Sequence, residues 1–522
     1  MSMSFKAILC QFQALFRMAG RFATPLLIGV SMVCLALYLT GLDYAPAPYF
    51  SDEALVSAEV IKLSRGWRDF GLLIRHSSRY ADFSFFPYVF VSFLLTKVLG
   101  FSVYSFRLVS VILSVGTGLG LIFLGRLFDL KWNYLLLAPV FYWLMPPVIV
   151  QSRIAWDPAI FPLICLVAVC SLEWPARRIN MVVSFPAWAL AFLALNAGFW
   201  LGLVAWAYPP GRLCSVLLCG FYLARYWFAC KKFYLRRLRS QFLIPFLLSF
   251  FGMGSVLLVS LKSTAGAMSR STSELIIGQT SLLQKIFLRF FSNVTNLDYL
   301  LIDGDPNLRH SLPGMGALGV AGFVLLVCVV LLVLGSLFPE VCFAGRFINQ
   351  YEASPHVLNI SILCLLVVIF ASPSFLGNTV VHSLRGCAAF PFWALLTSVL
   401  LAVTVQRFSV ASQEFLIGLI VVAVAFSSLH LARYSLGGLS FMGKKQLQGP
   451  VPIHSTYPGL SRSAFMHVDY VAAQGLSGSE VCMRVRSSLN RPTDISYGEA
   501  VDDARSILIA AERSWSCADD GH

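Results

Sequence analysis

The sequence predicts an all-α polytopic membrane protein carrying a small C-terminal α/β appendage outside the membrane. Three observations lead there. Hydrophobic residues make up 58% of the 522 positions and charged residues only 12%, about half the usual share of roughly 25% in a soluble domain. Mean hydropathy is +0.76, so lipid must be the solvent for much of the chain. Apolar runs long enough to cross a bilayer recur along the sequence, and in lipid each must satisfy its own backbone, which means helices. Past about Tyr434 the composition turns polar.

The first run extends from about Thr24 to Leu42, with Lys6, Arg17 and Arg21 before it. No small-residue cleavage site follows, so it reads as a retained transmembrane helix with its basic end in the cytoplasm. Further runs lie at about 108–125, 133–150, 158–172, 183–203, 213–229, 241–260, 315–337, 357–371, 388–405 and 413–430, about eleven spans in all. The stretch 83–100 is apolar but short, with Pro87 near its start, and reads as interfacial or re-entrant. On that reading Arg126 and Lys131, Arg177 and Arg178, the 231–239 cluster, Arg346 and Arg407 fall on alternate, cytoplasmic loops, as the positive-inside rule requires. The domains expected are 1–433, with a first outer loop 43–84 and a long outer loop 261–313, and 434–522 outside the membrane.

The first outer loop carries Lys62, Arg65, Arg68, Arg75 and Arg79. An amphipathic helix on anionic lipid and a cradle for an anionic substrate explain that charge equally well. Most of the 13 cysteines sit in apolar runs and read as small hydrophobes. Cys482 and Cys517 lie in the polar tail, where a disulfide and two free thiols are equally open. In that tail 481–486 alternates like a strand and 502–515 reads as a helix.

Four polar features fall on the outer side. Ser51-Asp52-Glu53 follows the first helix, and adjacent carboxylates at a membrane face invite a functional explanation, although an N-cap is the simpler account of this pair alone. Arg153 and Asp157 stand in Gln151-Ser152-Arg153-Ile154-Ala155-Trp156-Asp157-Pro158. Arg309 and His310 stand in Asp303-Gly304-Asp305-Pro306-Asn307-Leu308-Arg309-His310, within a loop of unusual length. His382 and Arg385 begin a helix, and Arg212 follows Tyr208-Pro209-Pro210-Gly211. Any one of these is an ordinary cap or snorkelling residue; their shared side is what marks them.

The order of these elements, with Phe106-Arg107-Leu108 and Leu124-Gly125-Arg126-Leu127-Phe128 between them, resembles the GT-C fold glycosyltransferases. The closer resemblance is to bacterial relatives of the protein O-mannosyltransferases and to the lipid A aminoarabinose transferase, over roughly residues 20–430. Phe85-Phe86-Pro87-Tyr88 stands where such proteins often carry Pro-Pro-Leu-Tyr. The resemblance implies a GT-C-like helical bundle in the bacterial inner or plasma membrane. Its site would lie on the extracytoplasmic side and pass a sugar from a polyisoprenyl-phosphate donor to a glycan, lipid or protein acceptor. Asp52 would be the general base, with Glu53 orienting the acceptor or Asp52, and Asp157 a second acidic group. Arg153, Arg212, Arg309, His310, His382 and Arg385 would bind substrate. The carboxylates are compatible with a divalent ion and equally with metal-free base catalysis. No nucleotide-binding glycine loop is evident, and no nucleic acid partner is expected. A transporter or flippase of lipid-linked saccharide, or a scaffold subunit, would share the cations and the lipid groove but not the carboxylate base.

Overall fold

A computed structural model describes residues 23–42, 53, 56, 60, 63, 86–100, 102–178, 185–229, 239–262, 298–302, 305, 311–312, 315–337, 355–375, 383–406 and 410–433. Asp52, Arg309, His310, His382, most of the first outer loop, the 231–239 cluster apart from Arg239, and the whole tail from residue 434 with Cys482 and Cys517 lie outside them.

The described part is a bundle of helices with no strand among the described residues: α1 (Ala23–Leu39), α2 (Phe86–Leu99), α3 (Val103–Leu127), α4 (Trp132–Leu135), α5 (Leu137–Trp143), α6 (Pro146–Gln151), α7 (Phe161–Arg177), α8 (Ala187–Ala207), α9 (Gly211–Ala229), α10 (Ile244–Lys262), α11 (Gly319–Leu337), α12 (Pro355–Phe375), α13 (Phe390–Val405) and α14 (Val410–Arg433). The apolar runs named above all fall on helical segments. Among the described residues five helices are long and apolar enough to cross a membrane, spanning 104–127, 157–177, 187–207, 357–374 and 387–405. Leu26, Ile28, Met32, Trp188, Phe192, Phe251, Phe323 and Phe426 face outward, as lipid-facing positions should.

One expected span departs from a simple helix. The run 133–150 is broken into α4, α5 and α6, and every residue of α5 and α6 is buried. The physical reason is proline. Pro146 and Pro147 open α6 at its first positions, where a missing N–H costs nothing, and they cannot continue α5. A break inside a membrane protein is tolerated where freed polar groups find protein partners. Here the Tyr38 hydroxyl donates to the Trp143 carbonyl at 2.7 Å, and the Trp143 indole N–H donates to the Ser114 carbonyl at 3.1 Å. The broken segment packs between α1, α3 and α13.

Contacts at the helix termini show that α3 and α7 run in the same direction, with the broken segment α4–α6 between them, and that α8 and α12 run the opposite way. At one end, called here the basic end, α3, α7, α9 and α13 finish and α12 begins. Arg177 stacks on Phe128 with its guanidinium 3.9 Å from the ring centroid and donates to the Asn359 side chain at 2.8 Å. The Glu173 carboxylate, fully buried, takes hydrogen bonds from Arg177 at 2.8 Å, from Tyr222 at 2.9 Å and from Arg225. This network joins α7, α9, α12 and the end of α3. Such a cluster survives burial only because the acid is met by cations and a hydroxyl together. At the other end α1 and α8 finish, and α3, α7, α9 and α13 begin.

Backbones approach closely where side chains are absent. A Cβ on Gly198 would stand 2.3 Å from the Phe246 carbonyl oxygen, so α8 and α10 touch backbone to backbone there, as small residues permit in membrane bundles. A Cβ on Gly211 would stand 2.0 Å from the Val204 carbonyl oxygen. Glycine is therefore required where the chain turns from α8 into α9, and that turn sets Arg212 at the start of α9.

Candidate functional site at the loop end of the bundle

Glu53, Arg153, Asp157, Arg212, Asp305 and Arg385, the described members of those polar features, lie at the end opposite the basic one. Its centre is an ion pair. Glu53, Val56, Val60 and Leu63 are helical and buried, a spacing that forms one helix face. Glu53, at 0% exposure, meets Arg107 of α3, at 1%. The pair is bidentate, with Nε to Oε1 at 2.9 Å and Nη2 to Oε2 at 2.9 Å. This is the fork geometry that makes arginine specific for carboxylates. The remaining Arg107 nitrogen donates to the Leu42 carbonyl at 2.9 Å, and Glu53 Oε1 also accepts from the Ala155 amide at 2.8 Å. One side-chain pair thus ties the end of α1, the acidic loop, α3 and the 151–160 turn together.

Arg153 is held by the same turn. It is 1% exposed and caps the end of α1, donating to the carbonyls of Leu37 at 2.5 Å, Tyr38 at 3.3 Å and Thr40 at 2.7 Å. Those carbonyls have no intrahelical donor at a helix C-terminus, and a cation is also favoured by the dipole there. The geometry gives Arg153 a part in holding α1. Glu53 is held by Arg107 and by the Ala155 amide.

Asp157 is 7% exposed and opens the 3-10 turn Asp157–Ala159, ahead of Pro158. The Tyr88 hydroxyl of α2 lies within electrostatic reach of both Glu53 and Asp157. It shares a 2.7 Å hydrogen bond with Ser110, whose hydroxyl donates to the Ile154 carbonyl at 2.7 Å. The short helix α2 is thereby packed into the site end through Tyr88, which is fully buried.

The long loop joins from the other side. Asp305 Oδ2 accepts from the Ser383 amide at 2.8 Å and from its hydroxyl at 2.7 Å. The 3-10 turn Cys387–Ala389 then leads into α13, and the Cys387 thiol points to the Pro158 carbonyl at 3.8 Å. Half-buried Arg385 lies between these two anchors, and Arg212 is half-buried at the start of α9. Beside them, burial pushes the Tyr299 hydroxyl well above its ordinary pKa, and the Asp305 carboxylate adds to the effect. Tyr299 is therefore neutral throughout the physiological range.

Four of the expected site residues, Glu53, Arg153, Asp157 and Arg385, are thus brought into one connected assembly. Arg212 lies at the same end, one turn of chain from Tyr208, whose ring meets Phe161 of α7 at 5.7 Å. Arg107, Tyr88, Ser110, Asp305 and Ser383 were not singled out as site residues from the sequence. Arg107 had a legible signal, an arginine inside an apolar run; Ser110 and Ser383 had none. Among the described residues no three His, Cys, Asp or Glu side chains gather as a metal site.

The fold and the site define a multi-pass integral membrane protein whose polar residues gather where loops meet one end of the bundle. No protein-family model matches the chain, and no curated protein matches it. Among solved structures it is similar to ArnT from Cupriavidus metallidurans bound to undecaprenyl phosphate, with 14% identity, a TM-score of 0.39, and coverage of 94% of this chain and 75% of that one. It is similar also to ArnT from the same organism in the apo state, with 14% identity, a TM-score of 0.36, and coverage of 94% and 76%. Both likenesses are remote, and the site's own residues carry the functional reading.

Proposed function

We propose that the chain is a membrane glycosyltransferase that takes a sugar from a polyisoprenyl-phosphate donor and passes it to an acceptor hydroxyl on the extracytoplasmic side. The observation that carries this reading is the Glu53–Arg107–Ala155 junction. It fixes the acidic loop against the turn that bears Asp157. Two further links, Cys387 to Pro158 and Ser383 to Asp305, add Arg385 and the root of the long loop. Asp52 is the chain neighbour of Glu53, Arg309 stands four residues past Asp305, and His382 precedes Ser383.

The chemistry asks for that combination. In the reaction the acceptor oxygen forms a bond to the anomeric carbon while the bond from that carbon to the phosphate oxygen breaks. The hydroxyl proton goes to a base and the bonding pair leaves on the phosphate. Asp52 is the base. Glu53, held from behind by Arg107, orients Asp52 and not the acceptor. Asp157 is the second acidic group. Arg385, Arg309 and Arg212 stabilise the charge that grows on the leaving phosphate, with His310 and His382 beside them. Attack opposite the leaving phosphate inverts the anomeric centre. The isoprenoid tail lies in the bilayer against the apolar flank of the bundle.

Two results test this reading. In a transfer assay with a polyisoprenyl-phosphate sugar, Arg309→Ala and Arg385→Ala should each weaken donor binding by about 10- to 100-fold, the value of a charge-assisted hydrogen bond. Arg→Lys should restore only part of it where contact is bidentate. Unchanged donor affinity in both Ala variants would return these arginines to snorkelling. Cysteine labelling from the two sides of the membrane should place the 231–239 cluster in the cytoplasm and the 383–389 turn outside. The reverse labelling would put the site on the wrong side for an extracytoplasmic acceptor.

A further inference from the structure

A cavity of about 260 Å³ opens at the basic end, away from the site described above, walled by Phe128, Asp129, Leu130, Tyr134, Val399 and Ala402, with Lys131 and Gln406 at its rim. Its chemistry is unusual for a helix end. α3 closes with the Leu130 amide bonded to the Gly125 carbonyl at 3.1 Å and the Asp129 amide to the Arg126 carbonyl at 3.1 Å. That closure calls for a residue in the left-handed region, a place ordinarily filled by glycine. Here it is Asp129, at φ 57°, the one non-glycine residue with positive φ among those described. A carboxylate has been kept where glycine costs less. It is exposed, as are Lys131 and Gln406.

The surroundings are cationic. Arg126 lies over the exposed ring of Trp132, 4.1 Å from its centroid, and a Trp with an Arg at a helix end is the signature of headgroup depth. Behind the Phe128 wall stands Arg177, in a cluster where two arginines share one glutamate. The cavity therefore presents an ammonium at its rim and a single carboxylate on its wall, with the Arg126 guanidinium outside the lining, on Trp132.

We propose that this cavity binds the head group of a membrane phospholipid that carries both a phosphate and a primary ammonium. Lys131 takes the phosphate, Asp129 takes the ammonium, and Gln406 offers an amide to either. The acyl chains run past Trp132 into the bilayer. The volume is below that of pockets for drug-sized ligands, in keeping with a small head group. The inference does not depend on the sugar-transfer reading, since it uses other residues at the other end of the bundle.

The test is native mass spectrometry of the full chain in nanodiscs of equal parts phosphatidylethanolamine, phosphatidylglycerol and phosphatidylcholine. Wild type should retain phosphatidylethanolamine over the other two by about fivefold, the scale of one exposed charge pair. Lys131→Glu should abolish retention of that lipid. Asp129→Asn should keep phosphate-bearing lipids but lose the preference for the amine. All three side chains are exposed, so an unchanged melting temperature in these variants will separate lost binding from lost folding. Equal retention of the three lipids by wild type, or retention by Lys131→Glu equal to wild type, overturns the proposal. Retention that soluble glycerophosphoethanolamine competes away as efficiently as the lipid would identify a soluble phosphate ester as the ligand and overturn the lipid assignment.

Discussion

Asp52→Asn is expected to reduce sugar transfer by about 10²- to 10⁴-fold, the contribution of a positioned general base, while donor binding and membrane insertion stay as in wild type. The amide keeps the size and the hydrogen-bonding capacity of the side chain but cannot take the acceptor's proton. The Glu53–Arg107 junction is untouched, so the loop is still anchored. The measurement is single-turnover transfer from a polyisoprenyl-phosphate sugar, with donor affinity measured separately. Wild-type turnover in the variant would remove Asp52 as the base. Loss of donor affinity with transfer rate preserved would move Asp52 into the binding machinery instead.

The second large effect is on stability. Arg107→Ala leaves the Glu53 carboxylate buried without its cation, and breaking a buried pair in that way costs about 3–5 kcal/mol. Glu53→Ala should be similarly severe, because it also strips the Ala155 amide of its acceptor. Glu53→Gln should be milder, since the amide oxygen can still accept from Ala155 and one Arg107 N–H. The double variant Glu53→Gln/Arg107→Met should recover much of the loss by removing both charges together. Unfolding of the purified protein in detergent would give the order of the four variants. A melting temperature for Arg107→Ala equal to wild type would mean that the pair holds nothing together.

The helices were legible because lipid imposes a simple rule. A run of some twenty apolar residues has few alternatives, and basic clusters mark one end of each pair. The break within the run 133–150 was not legible, for the same reason. Average hydropathy cannot see that Pro146 and Pro147 interrupt the helix, nor that the segment is walled in by α1, α3 and α13 rather than by lipid. The site was partly legible. Asp157 and Arg385 stood out because polar residues at helix starts are few in a chain this apolar. The bonds that Arg153 makes were not legible, because they run to the carbonyls at the end of α1, more than 110 residues earlier in the chain. Arg107 and Glu173 carried the visible mark of charge inside an apolar run. Who pairs with whom was not legible, because the Glu53–Arg107 pair spans 54 positions and the Glu173–Arg225 pair spans 52. Pairings at that range come from packing, which periodicity does not encode.

The enclosure of α5 and α6 has a consequence for how the protein is made. α5 packs on one side against α1 and α3, which emerge from the ribosome before it, and on the other against α13, which emerges about 240 residues later. At roughly 5–20 residues per second, synthesis leaves that side bare for tens of seconds. During that interval the Pro-interrupted segment sits in the membrane with part of its eventual coat missing. Premature termination before Phe390 would leave a product whose centre is never closed, a natural target for membrane quality control.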